Sequence, residues 1–195
     1  MSLSNILISI VAITVAISVH EFGHAYVAHL LGDDTAKMHG RMTLDPAKHI
    51  DPIGLITMLI FRIGWAKPVP VNPNNFKNYK IGNVLVSLAG AIGNILAAIV
   101  CVLIMKYVKM EAIRDIAYMT MLYNVGFAAF NLLPVPPLDG WGIVSSFIPY
   151  KYTEIVYKYE SMSYPILLIL IFTGLYSIIV SPIRDVIMNL VWLFY

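Results

Sequence analysis

The sequence predicts an all-α polytopic membrane protein of roughly four to six transmembrane helices, with a short extended or re-entrant segment around residues 52–75. Three observations carry that expectation. Of 195 residues, 59% are hydrophobic and only 12% are charged. The mean hydropathy of +0.77 lies far above that of a water-soluble domain. The apolar residues also gather in runs long enough to cross a hydrocarbon core of roughly 30 Å.

The first run, Leu3 to Leu31, would be about 43 Å long as a helix and reads as a spanning segment. Met1 to Asn5 carries no Lys or Arg, and the apolar run continues through His20 and Glu21, which argues against a cleaved signal peptide. Further crossings are expected from Ile81 to Tyr107, from Ile113 to Leu133 and from Tyr164 to Val180. The stretches Pro52 to Trp65, Trp141 to Tyr150 and Ile183 to Tyr195 are apolar but short, which suits re-entrant, interfacial or tilted pieces. The length suits a single domain over residues 1–195, with a core at about 3–145 and C-terminal membrane helices at about 150–195.

Charge and cysteine content exclude other classes. Thirteen basic residues against eleven acidic ones leave +2, too little and too scattered for a nucleic-acid-binding face. Cys101 is the only cysteine, so an intrachain disulfide is excluded, and it reads as an apolar filler. Lys37, Arg41, Lys48, Arg62, Lys67, Lys77 and Lys80 concentrate in the linker between residues 32 and 80, which by the positive-inside rule faces the cytoplasm. Lys106, Lys109 and Arg114, offset by Glu111 and Asp115, pull weakly the other way. Within the linker, Trp65 to Pro73 alternates prolines with Val and Lys and reads as extended chain. Such a segment either pairs with a peptide or serves as a stiff connector.

The first span contains His20-Glu21-Phe22-Gly23-His24, an HExxH arrangement. Residues four apart share a helix face, so both imidazoles can reach one ion while Glu21 addresses a water on it. With five His and four Glu in the chain, about 0.003 such matches arise by chance. Two imidazoles and a carboxyl at membrane depth are costly unless they pair, face a polar cavity or bind a cation. A tetrahedral zinc site needs a third protein ligand and an open position. His29 points off the shared face, and Val27 and Leu30 occupy the places of the extended HExxHxxGxxH pattern. The third ligand therefore comes from Asp33, Asp34, His39, Asp45, His49, Asp51 or Asp139. Of these, Asp139 lies in apolar sequence after a break at Pro134, Pro136 and Pro137, where an isolated carboxylate calls for a cation.

HEFGH in a membrane span, followed by Asn131-Leu132-Leu133-Pro134-Val135-Pro136-Pro137-Leu138-Asp139-Gly140, resembles the site-2 protease family of intramembrane zinc metalloproteases. The second motif of that family is NxxPxPxLDG, and every defined position matches. Gly64 to Pro73 and Leu44 to Gly54 are similar to segments of its compact prokaryotic members without PDZ or CBS domain, where Asn is frequent at the position of Asp45. The likeness covers roughly residues 10–145. It implies His20, His24 and Asp139 as ligands of one zinc ion, Glu21 as general base, and Asn131 as a donor to the substrate or the developing oxyanion. For Asn131, interhelical hydrogen bonding is the ordinary alternative.

Gly90, Gly93 and Asn94 resemble a further family motif; the glycines would let their helix approach the HExxH helix, with Asn94 bonding across the contact. His29, His39 and His49 read as partners of the metal ligands or as ordinary loop histidines. Trp192, Phe194 and Tyr195 read as interfacial anchors.

The resemblance thus implies hydrolysis of peptide bonds in transmembrane segments of membrane-tethered substrates, in a multi-pass protein of a prokaryotic cell membrane with its site toward the cytoplasm. The competing readings are a metal-ion transporter, which does not explain Glu21, and an inactive membrane scaffold.

Overall fold

A computed structural model describes residues 3–61 and 64–195. Its helices are α1 (Leu3–Leu30), α2 (Thr35–Met38), α3 (Pro52–Phe61), α4 (Tyr79–Tyr107), α5 (Glu111–Asn131), α6 (Asp139–Ser145), α7 (Thr153–Ser161), α8 (Ser163–Phe172) and α9 (Leu175–Trp192). Among the described residues there is no regular strand, which fits an all-α membrane protein.

The core is α1, α4 and α5 packed against one another, with α9 against α4 and α5. Along α1, Ser9, Ala12, Ile13, Ala16, Ile17, His20, His24 and Ala28 are buried, a stripe at helical spacing, while Leu3, Leu7 and Val11 are exposed on the other side. In a membrane, lipid solvates leucine as well as a neighbouring helix does, so association rests on close packing and interhelical hydrogen bonds. The sequence supplies both. An added Cβ at Gly23 would lie 2.6 Å from the Ala89 carbonyl oxygen, and one at Gly93 would lie 3.0 Å from that of Val19. The close approach expected of Gly93 is therefore present.

By length and composition, α1, α4 and α9 can each cross a membrane, and α7 with α8, bent by 51°, would make a fourth crossing if the pair is one span. The expected span over Ile113 to Leu133 is the helix α5. It does not qualify on composition, because it carries Glu111, Arg114 and Asp115 at its start and buried Thr120, Asn124 and Asn131 along its length.

The span expected at Tyr164 to Val180 is corrected. The chain breaks at Gly174, whose φ of 73° is left-handed. Thr173 Oγ1 donates back to the Ile169 carbonyl at 2.6 Å, closing the end of α8. The membrane-length helix is instead α9, which carries Pro182 inside it and absorbs most of the short stretch left open at Ile183 to Tyr195.

The segment around residues 52–75 is part helix and part extended chain. Ten-residue α3, about 15 Å long, is too short to cross. Residues 64–71 then run without helix, joined to the preceding linker by one antiparallel bridge between Ile50 and Ala66. Arg62 of the basic linker lies outside the described residues.

Candidate metal centre

His20 and His24 project from the buried face of α1 toward α4. Nδ1 of His20 lies 2.9 Å from Asn94 Oδ1. The Asn94 amide nitrogen donates to the Ala16 carbonyl and to Asn124 Oδ1, both at 2.8 Å, so its oxygen must face His20. His20 therefore carries its proton on Nδ1. The Asn124 amide donates in turn to the Thr120 carbonyl at 2.8 Å. His24 donates its Nδ1 proton to the Val86 carbonyl at 2.7 Å. Both rings are thus held by α4 through Nδ1 and present their Nε2 atoms to the same point, 3.0 Å apart.

The third group arrives from α6. After α5 ends at Asn131, the chain turns through Pro134, Pro136 and Pro137, with a cis bond between the last two, and Asp139 opens α6. Gly140 permits the turn: a Cβ there would lie 2.3 and 2.4 Å from the carbonyl oxygens of Leu132 and Leu133. Asn83 on α4 pins α6 by donating to the Gly142 carbonyl at 2.9 Å and to Ser146 Oγ at 2.8 Å. Asp139 Oδ2 then lies 3.1 Å from His20 Nε2 and 3.3 Å from His24 Nε2.

With each Nδ1 engaged by α4, the three converging atoms, two Nε2 and one carboxylate oxygen, are the ones able to ligate a cation. Asp139 Oδ2 is buried without a hydrogen-bond partner. Two imidazole nitrogens and a carboxylate oxygen crowded together in a buried place are stabilised by positive charge shared among them, which a metal cation or protons on the rings supply. Ligand atoms of a tetrahedral zinc are about 3.3 Å apart, given bonds of about 2.0 Å. The observed separations and the N, N, O donor set fit that ion. Gly90 adds shape, since a Cβ there would lie 2.5 Å from His20 Cε1 and 2.6 Å from His24 Nε2.

Glu21, one residue along α1, is buried and accepts the Val69 N–H on Oε2 at 2.8 Å. On α5, Asn124, Phe127 and Asn131 lie three and four residues apart, hence on one face. Asn124 meets Asn94, and the Phe127 ring stands edge-on to His20 with centroids 4.9 Å apart. Asn131 is one turn further along that face, and its amide donates to the Phe127 carbonyl at 3.0 Å.

The remaining candidates for the third ligand turn elsewhere. Asp33 is fully buried and accepts from Thr35, Asn75 and the Asn72 N–H. Asp34 pairs with His29, Asp45 caps Ala47, and Asp51 caps Ile53 and Gly54 at the start of α3. His39 donates to the Thr35 carbonyl, and buried His49 to that of Thr43. Among the described residues, the one cluster of three or more metal-capable side chains is His20, His24 and Asp139. Asn83, Asn124 and the Val69 N–H escaped the sequence reading. A polar stripe at Thr120, Asn124 and Asn131 was the available signal for Asn124; a backbone donor leaves none.

A helical membrane bundle that closes an HExxH pair with a carboxylate from a proline-broken turn belongs to the class of membrane metalloproteins. The curated relatives narrow it. "Putative zinc metalloprotease YwhC" of Bacillus subtilis is 38% identical over 197 residues, covering 93% of this chain and 89% of that protein. Rip2 of Mycobacterium tuberculosis, given the same description, is 31% identical over 139 residues, 65% of this chain, which spans about half (52%) of Rip2. Its Mycolicibacterium smegmatis counterpart is 29% identical over 140 residues. No family profile and no solved structure matches the chain. The chain belongs to the site-2 protease family.

Proposed function

We propose that this chain is an intramembrane zinc metalloprotease that hydrolyses peptide bonds in transmembrane segments of membrane-tethered substrates. The observation that carries the reading is the convergence of three potential ligand atoms, His20 Nε2, His24 Nε2 and Asp139 Oδ2, with the buried Glu21 next to His20 on the same helix. Family membership and relatives named as zinc metalloproteases support the same activity.

His20, His24 and Asp139 would hold one zinc ion, which when bound supplies Lewis acidity to a water and to the scissile carbonyl. Glu21 takes the water's proton and hands it to the leaving amine, a shuttle that needs a carboxylate near the ligands but not among them. Asn94 and the Val86 carbonyl hold the imidazoles so that neither drifts during turnover. Asn131, on the α5 face that meets His20, has an amide able to steady the substrate carbonyl.

A helical substrate hides its amides and must unwind before attack. The extended segment that includes Lys67 to Pro73 is the natural receptor for the unwound strand. Its Lys67 N–H is already bonded to the His49 carbonyl, its Val69 N–H to Glu21, and its Lys67 and Pro68 carbonyls to Arg41, so pairing with a substrate falls to the backbone groups from the Val69 carbonyl onward. By the positive-inside rule, the basic linker supports a cytoplasmic position for this side of the bundle.

The test is Glu21→Gln. The variant should retain zinc and lose cleavage of membrane-embedded substrates, so that full-length substrate accumulates in cells. A variant that cleaves at the wild-type rate would overturn the reading. Separately, replacing residues 67–73 with a flexible polar loop should abolish cleavage, and unchanged cleavage would remove that segment from the account.

A further inference from the structure

We propose that the backbone N–H of Val69 is the positioning group for Glu21, and that the Pro-Val-Pro sequence exists to present that single donor in one register. The inference rests on the reading of Glu21 as the proton carrier.

The contact is built from both sides. Val69 N–H donates to Glu21 Oε2 at 2.8 Å in a buried setting. The Val69 side chain packs in the same place, in a cluster with Ala25 and Ala36. Ala25 lies one turn beyond Glu21 on α1, so the side chain and the amide of Val69 grip neighbouring points on one helix face. A glutamate side chain has three rotatable bonds, and nothing else in the described hydrogen bonds restrains that of Glu21. Bonding Oε2 leaves Oε1 as the oxygen that exchanges a proton.

The local sequence makes the donor unambiguous. Pro68 and Pro70 have no N–H, so between residues 68 and 70 only Val69 can donate. A slip of one residue either way would bring a proline nitrogen to the carboxylate. A slip of two would bring Lys67, whose N–H is already given to the His49 carbonyl at 2.8 Å, or Val71, and either would carry the flanking Arg41 and Asp33 contacts out of register. The strand is also fixed on both flanks. Arg41 donates to the carbonyls of Lys67 at 2.7 Å and Pro68 at 3.2 Å. Asp33, fully buried, takes the Asn72 N–H and the Asn75 amide, both at 2.7 Å. Val69 is thus suspended between two anchored points, and the residue before a proline is itself biased to extended backbone.

That bias provides a test. Val69→Pro removes the N–H and sets the ring Cδ where the proton pointed, so Glu21 Oε2 loses its partner and must leave its place. The probe is a lysine-flanked transmembrane peptide rich in Gly and Ala, bearing a fluorophore and quencher, in vesicles of phosphatidylethanolamine and phosphatidylglycerol with the full chain. We expect Val69→Pro to lose about 10- to 100-fold in kcat with KM and zinc content unchanged. Val69→Ala, which keeps the N–H, should turn over at least about tenfold faster than Val69→Pro. Independently of activity, the Val69 amide of 15N-valine-labelled protein should exchange slowly and resonate downfield, and both properties should disappear in Glu21→Ala. Full turnover by Val69→Pro, or a Val69 amide indifferent to Glu21→Ala, would overturn the proposal. Cleavage by Glu21→Gln would instead overturn the broader reading of Glu21, which separates the two failures.

Discussion

Asn94 Oδ1 accepts the Nδ1 proton of His20 across the α1–α4 contact, at 2.9 Å and with Asn94 fully buried. One amide thereby fixes the tautomer of a candidate metal ligand, while its own orientation is fixed by Ala16 and Asn124. Removing it frees the ring to rotate and to place a proton on Nε2. Asn94→Leu should weaken zinc binding by about 10- to 100-fold, measured by competition with a chelator. Asn124→Leu should have the same sign and a smaller effect, since it acts through Asn94.

Gly90 leaves room for the imidazoles where any side chain would displace them. Gly90→Val should therefore lower zinc occupancy sharply, read by metal analysis of purified protein. Gly126, where an added Cβ meets nothing within 4 Å, is the matched control and should keep its zinc when changed to Ala.

Asp33 predicts a pH dependence of stability. Burial raises its pKa, but hydrogen bonds from Thr35, Asn72 and Asn75 outweigh that and hold the carboxyl below the ordinary value. A depressed pKa contributes stability that is fully present above the unfolded value of about 3.9 and is lost as pH falls through the folded value. Asp33→Asn should cost about 1–3 kcal/mol at pH 7, and the gap to wild type should close in acid below about pH 4. Thermal unfolding in detergent across that range measures it.

Gly174 should resist substitution. Its φ of 73° separates α8 from α9, and a Cβ in left-handed backbone costs roughly 1–2 kcal/mol. No atom would meet that Cβ within 4 Å, so Gly174→Ala isolates the backbone effect in a thermal melt.

Much of the centre was legible because its chemistry is conspicuous in apolar surroundings. His20, Glu21 and His24 stand in a run that otherwise reads as lipid-spanning, and Asp139 is an isolated carboxylate after three prolines. The distractors were loop carboxylates. Composition cannot tell Asp33, buried under four hydrogen bonds, from a solvated aspartate, because its partners at Asn72 and Asn75 are some forty residues away. The long helices followed from apolar run length, but the C-terminal boundary did not. Hydropathy averages over Gly174, where one left-handed residue ends a helix, and it gives Ser181-Pro182 the look of a stop that α9 passes through. Asn83 and the Val69 N–H were invisible for a different reason. Each acts on backbone or through it, and such contacts leave no pattern in side-chain identity.

The most direct test is zinc K-edge absorption and metal stoichiometry on the purified Glu21→Gln chain. The account predicts one zinc per chain with two imidazole nitrogens and a carboxylate oxygen among its ligands, and loss of the metal in His20→Ala and in Asp139→Ala. A wild-type chain that binds no zinc, or zinc retained with an unaltered ligand shell after both of those substitutions, would contradict it.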